Sequence, residues 1–128
     1  MRAVRYDLYI EKGATFSRVF RYKDADGVAI DLTGYVARLM VRSPDHTGTV
    51  VVGFDLSTEN SPAEITIDGA AGEVVVEVAD EVTAAVDDAT CSGVYDLEIE
   101  SPAGKVTRLA EGRVRFSPEA TRPDVSGP

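Results

Sequence analysis

The sequence predicts an all-β chain: a single immunoglobulin-like antiparallel β-sandwich of about eight strands, with one short helix near residues 80–86. Apolar residues recur with period two along most of the chain. Turn residues interrupt that pattern about every ten residues, and helical spacing is confined to one alanine-rich segment. With 128 residues, the chain has the length of one domain and can bury about two-thirds of its extended surface without staples.

The first strand is expected over residues 6–11, ended by Lys12 and Gly13. Residues 15–22 follow, with Phe16, Phe20 and Tyr22 on one face and Ser17, Val19 and Arg21 on the other. Asp24-Ala25-Asp26-Gly27 makes a turn in which Gly27 supplies a positive φ. A short strand over 28–31 returns. Leu32-Thr33-Gly34 then lets the chain cross to a strand over 35–42, whose Tyr35, Ala37, Leu39 and Val41 share one phase. Pro44 and Gly48 mark a loop over 43–48. A strand over 49–56 and a polar loop over 57–62 come next. Residues 64–67 and 73–78 should pair across 68–72, with Val74, Val76 and Val78 forming a β-branched row.

One segment breaks the period. Asp80 is a candidate N-cap, and Val82, Ala85 and Val86 fall at i, i+3 and i+4. So short a helix is unstable alone, which makes it one or two turns bridging two sheets. The clearest hairpin follows: Tyr95, Leu97 and Ile99 point one way, Asp96, Glu98 and Glu100 the other. In the return strand, 105–117, Thr107 and Leu109 keep one phase while Val114 and Phe116 keep the opposite one. A β-bulge at Gly112 would reconcile them, with Leu97 facing Leu109 and Glu98 facing Arg108. The sandwich is thus expected over 1–117. Residues 118–128, with Pro118, Pro123 and Pro128, read as a proline-rich C-terminal arm, either flexible or ordering only against a partner.

Thirteen basic and twenty-two acidic residues give a net charge of −9. That balance repels phosphate backbones and anionic lipid, so neither nucleic acid nor a membrane is expected as a partner. Charges at Arg2, Arg5, Asp7, Glu11 and Lys12 interrupt any secretion signal, and no stretch has the roughly 20 apolar residues of a membrane span. Synthesis in a reducing cytoplasm is expected. Cys91 is the single cysteine, which excludes an internal disulfide framework. With one histidine, His46, and no tryptophan, acid–base or nucleophilic chemistry would rest on carboxylates and hydroxyls, so the chain reads as a non-enzyme without cofactor.

Each candidate site has a simpler counterpart. Asp24 and Asp26 resemble the start of a calcium loop, but Gly27 comes two positions early and the twelfth position is Tyr35, so a hairpin turn is the better account. His46 beside Asp45 reads as a solvated loop residue. Cys91, near Asp87 and Asp88, reads as a buried small apolar side chain. Asp80, Glu81, Asp87 and Asp88 read as the wet face of the helix, and Glu73, Glu98 and Glu100 point outward without a cleft. Gly69 and Gly72 lie between strands, not ahead of a helix as a phosphate loop requires.

Arginine stands out. Ten of the thirteen basic residues are Arg, and Arg18, Arg38, Arg42, Arg108, Arg113 and Arg115 fall on expected strands. A planar fork suits bidentate contacts at protein interfaces, and equally pairing with neighbouring Asp and Glu. Arg38, Arg42, Arg113 and Arg115, with Arg122 and Pro123 in the arm, are the candidate partner-binding residues.

Four segments carry a resemblance: GATFSRVFRYKDADG at 13–27, IDLTGYVARLMVR at 30–42, GVYDLEI at 93–99 and LAEGRVRFSPEATR at 109–122. Together they resemble small structural proteins of tailed bacteriophages and prophages, in particular the amino-terminal β-sandwich modules of phage baseplate upper proteins. The resemblance implies a non-enzymatic virion component, made in the host cytoplasm, that binds other virion proteins and copies of itself in a symmetric assembly. Baseplate upper proteins continue into receptor-binding regions, whereas this sequence ends at Pro128. A tail or baseplate adaptor is therefore expected, with capsid decoration as the alternative and a carbohydrate-binding attachment module as a reading of another class.

Overall fold

The structure, a computed structural model, describes residues 3–120. The chain order is β1 (Val4–Arg5), β2 (Leu8–Glu11), β3 (Phe16–Arg21), β4 (Val36–Ser43), β5 (Thr49–Ser57), β6 (Ile65–Asp68), β7 (Glu73–Val78), α1 (Asp80–Ala84), β8 (Ser92–Glu100) and β9 (Val106–Ser117). The larger sheet runs β1-β9-β8-β4-β5, with β2 also on β9, and the smaller runs β3-β7-β6. One core lies between them. Phe16, Phe20, Ile65, Val74, Val76 and Val78 from the smaller sheet meet Leu39, Val41, Leu97, Ile99, Val114 and Phe116 from the larger. Complete burial of each such side chain contributes about 1.5–3 kcal/mol. Phe54 and Phe116 meet edge to face at 5.5 Å, the geometry their ring quadrupoles favour.

Most expected faces hold. Ala37, Leu39 and Val41 point inward on β4, as do Tyr95, Leu97 and Ile99 on β8. The β6–β7 hairpin has Ile65 opposite Val76 and Ile67 opposite Val74. The turn at 24–27 closes through Asp24, whose Oδ1 accepts the Asp26 and Val28 amides at 2.9 and 3.0 Å. That carboxylate is occupied by its own turn.

Six expectations need correction. The sandwich is not wholly antiparallel, because β1 and β2 run parallel to β9, Val4 opposite Ala110 and Leu8 opposite Val114. The strand expected over 6–11 begins only at Leu8, and a separate short strand, Val4–Arg5, precedes it across Tyr6 and Asp7. Residues 28–31 form no strand, only an isolated bridge between Lys23 and Ala29. The bulge lies at Leu109, not Gly112: Leu97 faces Ala110 and Glu98 faces Arg108, leaving Leu109 as the extra residue. In α1 the N-cap is Ala79, with no side-chain bond; of the expected apolar face Val86 is buried and Val82 packs partly against the core, but Ala85 is exposed and Thr83 is buried in its place. Thr83 Oγ1 accepts the Gly13 amide at 3.0 Å and donates to the Ala14 carbonyl at 2.9 Å, so the helix clips the β2–β3 turn. Finally, Cys91 is exposed. It stands ahead of β8, where its carbonyl accepts the Phe116 amide (2.9 Å) and anchors the backbone while the side chain faces out.

Of the arm expected over 118–128, residues 118–120 follow β9 without regular structure, and Arg122 and Pro123 lie outside the described residues.

Candidate functional site

The outer face of the larger sheet gathers the arginines. Because side chains alternate across a pleat, the out-of-core phase of β4, β8 and β9 forms rows that the registers define. Arg42, Val94 and Arg113 make one row, Met40, Asp96 and Glu111 the next, and Arg38, Glu98 and Arg108 the third. Parallel docking brings Arg5 alongside Glu111, and β5 sets Asp55 beside Met40. A broad open depression of about 670 Å³ runs over these rows, with His46 on its lining.

The rows divide by how their charges are used. Arg38 Nε and Nη2 grip Asp55 at 3.0 and 2.9 Å. The Arg38 hydrogen bond holds the Asp55 carboxyl below its ordinary value, and the Arg38 guanidinium is raised in turn. Arg108 reaches Glu111 at 3.0 Å and Asp96 at 3.7 Å, and the Glu111 bond raises it as well. Both guanidinia are spent on neighbours within the sheet.

Arg42 and Arg113 are placed differently. Arg42 is half-buried and donates to the Gly48 carbonyl at 3.0 Å. Arg113 is exposed, and its backbone amide donates to Asp7 Oδ1 at 2.9 Å. Among the described residues neither guanidinium has a carboxylate within 4 Å, and the same holds for Arg115, which sits opposite Tyr9 and Ser92. Of the four strand arginines singled out from sequence, the structure therefore brings Arg42 and Arg113 together across Val94. It sets Arg115 two residues farther along β9 and ties Arg38 into an ion pair two rows away.

Sequence reasoning missed Arg5 and Met40 on this face. The alternation of β4 signalled Met40, whereas nothing local announces that Arg5 lands beside Glu111. The exposed His46 is not oriented by its neighbour: Asp45 Oδ1 accepts the Thr47 hydroxyl and amide at 2.6 and 2.9 Å, which lowers the Asp45 carboxyl from its ordinary value. Among the described residues, no helix is long and apolar enough to cross a membrane.

No protein-family model and no curated protein matches this chain. Among solved structures, a crystal structure of chicken TCR is similar, with a TM-score of 0.54 and 15% identity over 92% of this chain and 57% of that one. This chain thus spans little more than half the length of that protein. The likeness is one of fold: the chain is an immunoglobulin-like β-sandwich.

Proposed function

We propose that this chain is a non-enzymatic structural protein of a tailed-phage particle, an adaptor subunit of the tail or baseplate that binds other virion proteins and further copies of itself. The observation that carries the proposal is the Arg42–Val94–Arg113 row. It places two guanidinia that have no carboxylate within 4 Å among the described residues on an open sheet face of a chain whose net charge is −9. Planar forks flanking an apolar side chain suit bidentate capture of a partner's carboxylates. The phage-like segments at 13–27, 30–42, 93–99 and 109–122 supply the biological setting.

The test uses particles purified from the host that carries the gene. Wild-type chain should co-sediment with them at fixed stoichiometry. The Arg42→Glu/Arg113→Glu double variant should fall by about tenfold in particle content while remaining folded, because like charges then meet across the contact. Absence of the wild-type chain from purified particles refutes the proposal, and immunogold label on the head rather than the tail would move the subunit to capsid decoration. Tyr9, 54% exposed beside Arg115, is the feature a carbohydrate-binding module would use. Dose-dependent glycan binding that Tyr9→Ala removes would favour that second reading.

A further inference from the structure

The smaller sheet has an open edge. β3 has β7 as its single ladder neighbour, leaving its other side without a strand among the described residues. The pleat identifies the groups left over. The Tyr22 amide donates to the Gly72 carbonyl at 2.8 Å, and the Tyr22 carbonyl accepts the Ile30 amide at 2.9 Å, so both Tyr22 groups face the β7 side. Residues two apart face the same side. Phe20, Arg18 and Phe16 therefore turn their backbone groups to β7, and those of Ser17, Val19 and Arg21 point away, where the chain is exposed.

Beside that edge runs an open groove of about 550 Å³ between the two sheets. Val4, 56% exposed, and Tyr6, 40% exposed, form one wall, and Leu109 and Ala110 also line it. Arg18 shares the inward phase of Phe16 and Phe20 and reaches into the groove. Its guanidinium carbon lies 5.3 Å from the Tyr6 ring centre and 5.9 Å from that of Phe16. Its Nε is buried with no hydrogen-bond partner among the described residues. A buried charged donor without an acceptor is costly and is relieved by a carboxylate.

We infer that this groove is a docking site for an extended strand of another protein, about six residues long, that adds to the free edge of β3 and carries an Asp or Glu aimed at Arg18. Backbone groups of Ser17, Val19 and Arg21 supply the ladder. Aliphatic side chains at alternate positions of the incoming strand cover Val4 and Tyr6, and its carboxylate takes the Arg18 Nε–H. This surface is distinct from the arginine face of the larger sheet and stands whether or not the chain belongs to a virion.

The probe is the strand Thr-Val-Asp-Val-Thr-Val-Thr, tethered through a flexible Gly/Ser linker ahead of Met1 so that its effective concentration reaches the millimolar range. Amide hydrogen exchange is followed by NMR. The Ser17, Val19 and Arg21 amides should exchange at least about tenfold more slowly than in the unfused chain. A tether with asparagine in place of aspartate should give much less protection, and Arg18→Met should abolish the difference between the two tethers. Val19→Pro, which an edge strand tolerates, should remove the protection at Ser17 and Arg21 while Leu97 stays protected. No slowing, or equal slowing with both tethers on the wild-type chain, overturns the inference. Protection in the unfused chain that rises with protein concentration would assign the groove to a second copy and also overturn it.

Discussion

The β6–β7 hairpin and the seam between β1–β2 and β9 are built by different means. In the hairpin, alternating aliphatic residues pair over a short turn, and Asp68 Oδ1 caps that turn at the Ala71 amide (3.3 Å). In the seam, residues more than a hundred positions apart run parallel, and side chains that bond to backbone add to the ladder's own bonds, such as the Tyr6 amide to the Glu111 carbonyl at 2.8 Å. Asp7 Oδ1 accepts the Arg113 amide, the Tyr95 hydroxyl donates to the Tyr6 carbonyl, and Gly112 leaves room for both. A hairpin can be specified by periodicity because its turn sets the register. A distant parallel pair needs individual contacts, each of which can be removed.

Gly112 is the sharpest place to break the contrast. A Cβ there would come within 2.3 Å of the Tyr6 carbonyl oxygen and 2.8 Å of Asp7 Oδ1. Gly112→Ala should cost about 1–3 kcal/mol, the range for overpacking a tight site. Urea unfolding checks the cost. Amide exchange should show protection lost at Leu8 and Ile10 while Val74 and Val76, in the hairpin, keep theirs. If both regions loosen equally, the seam and the hairpin are one cooperative unit.

A smaller effect is expected from Tyr95→Phe. It keeps the ring that packs beside Phe20 at 6.5 Å but removes the donor to Tyr6. Burial already pushes the Tyr95 phenol well above its ordinary value, so the hydroxyl is a donor at all working pH. The loss should be about 1–2 kcal/mol by urea unfolding, because the Tyr6 carbonyl forfeits a partner in a half-buried place.

The smallest effect belongs to the exposed face. Arg38 holds Asp55 below 3.8, so the folded value lies beneath the unfolded one. The contact therefore contributes stability above the unfolded value and loses it as pH falls through the folded one. Asp55→Asn should lower the Tm by no more than about 2 °C at neutral pH, with the gap closing in acid below pH 3.8. A gap that persists at pH 2 would mean that the contact acts through something other than charge.

Much of this was legible along the chain. Phe16 and Phe20, the Val74–Val76–Val78 row and Tyr95, Leu97 and Ile99 declare their buried face by alternation, and Glu98 opposite Arg108 follows from the same phases. The bulge was legible in kind but not in place. Thr107 and Leu109 and then Val114 and Phe116 demand a slip, yet glycine chemistry pointed to Gly112, whose missing side chain serves the approach of Tyr6 and Asp7 instead. Cys91 was misjudged because small apolar residues are usually buried, whereas here the carbonyl, not the side chain, is used. In the candidate site, the outward phase of Arg42 and Arg113 was readable, but that no carboxylate among the described residues comes within 4 Å of either was not. Arg38 and Arg108 carry the same charge on the same face and are taken by Asp55, Glu111 and Asp96.

By itself, the sequence determined the sandwich class, the inward faces of its long strands and the surplus of arginine on the outward ones. Tertiary structure alone decided that the first strand runs parallel to the last, that no strand among the described residues covers the outer edge of β3, and which arginines have no carboxylate within 4 Å among those residues. The reason is physical. Alternation is a local property of a pleated backbone and can be read one strand at a time, whereas pairing across a hundred residues depends on which distant segments meet once the intervening chain has folded.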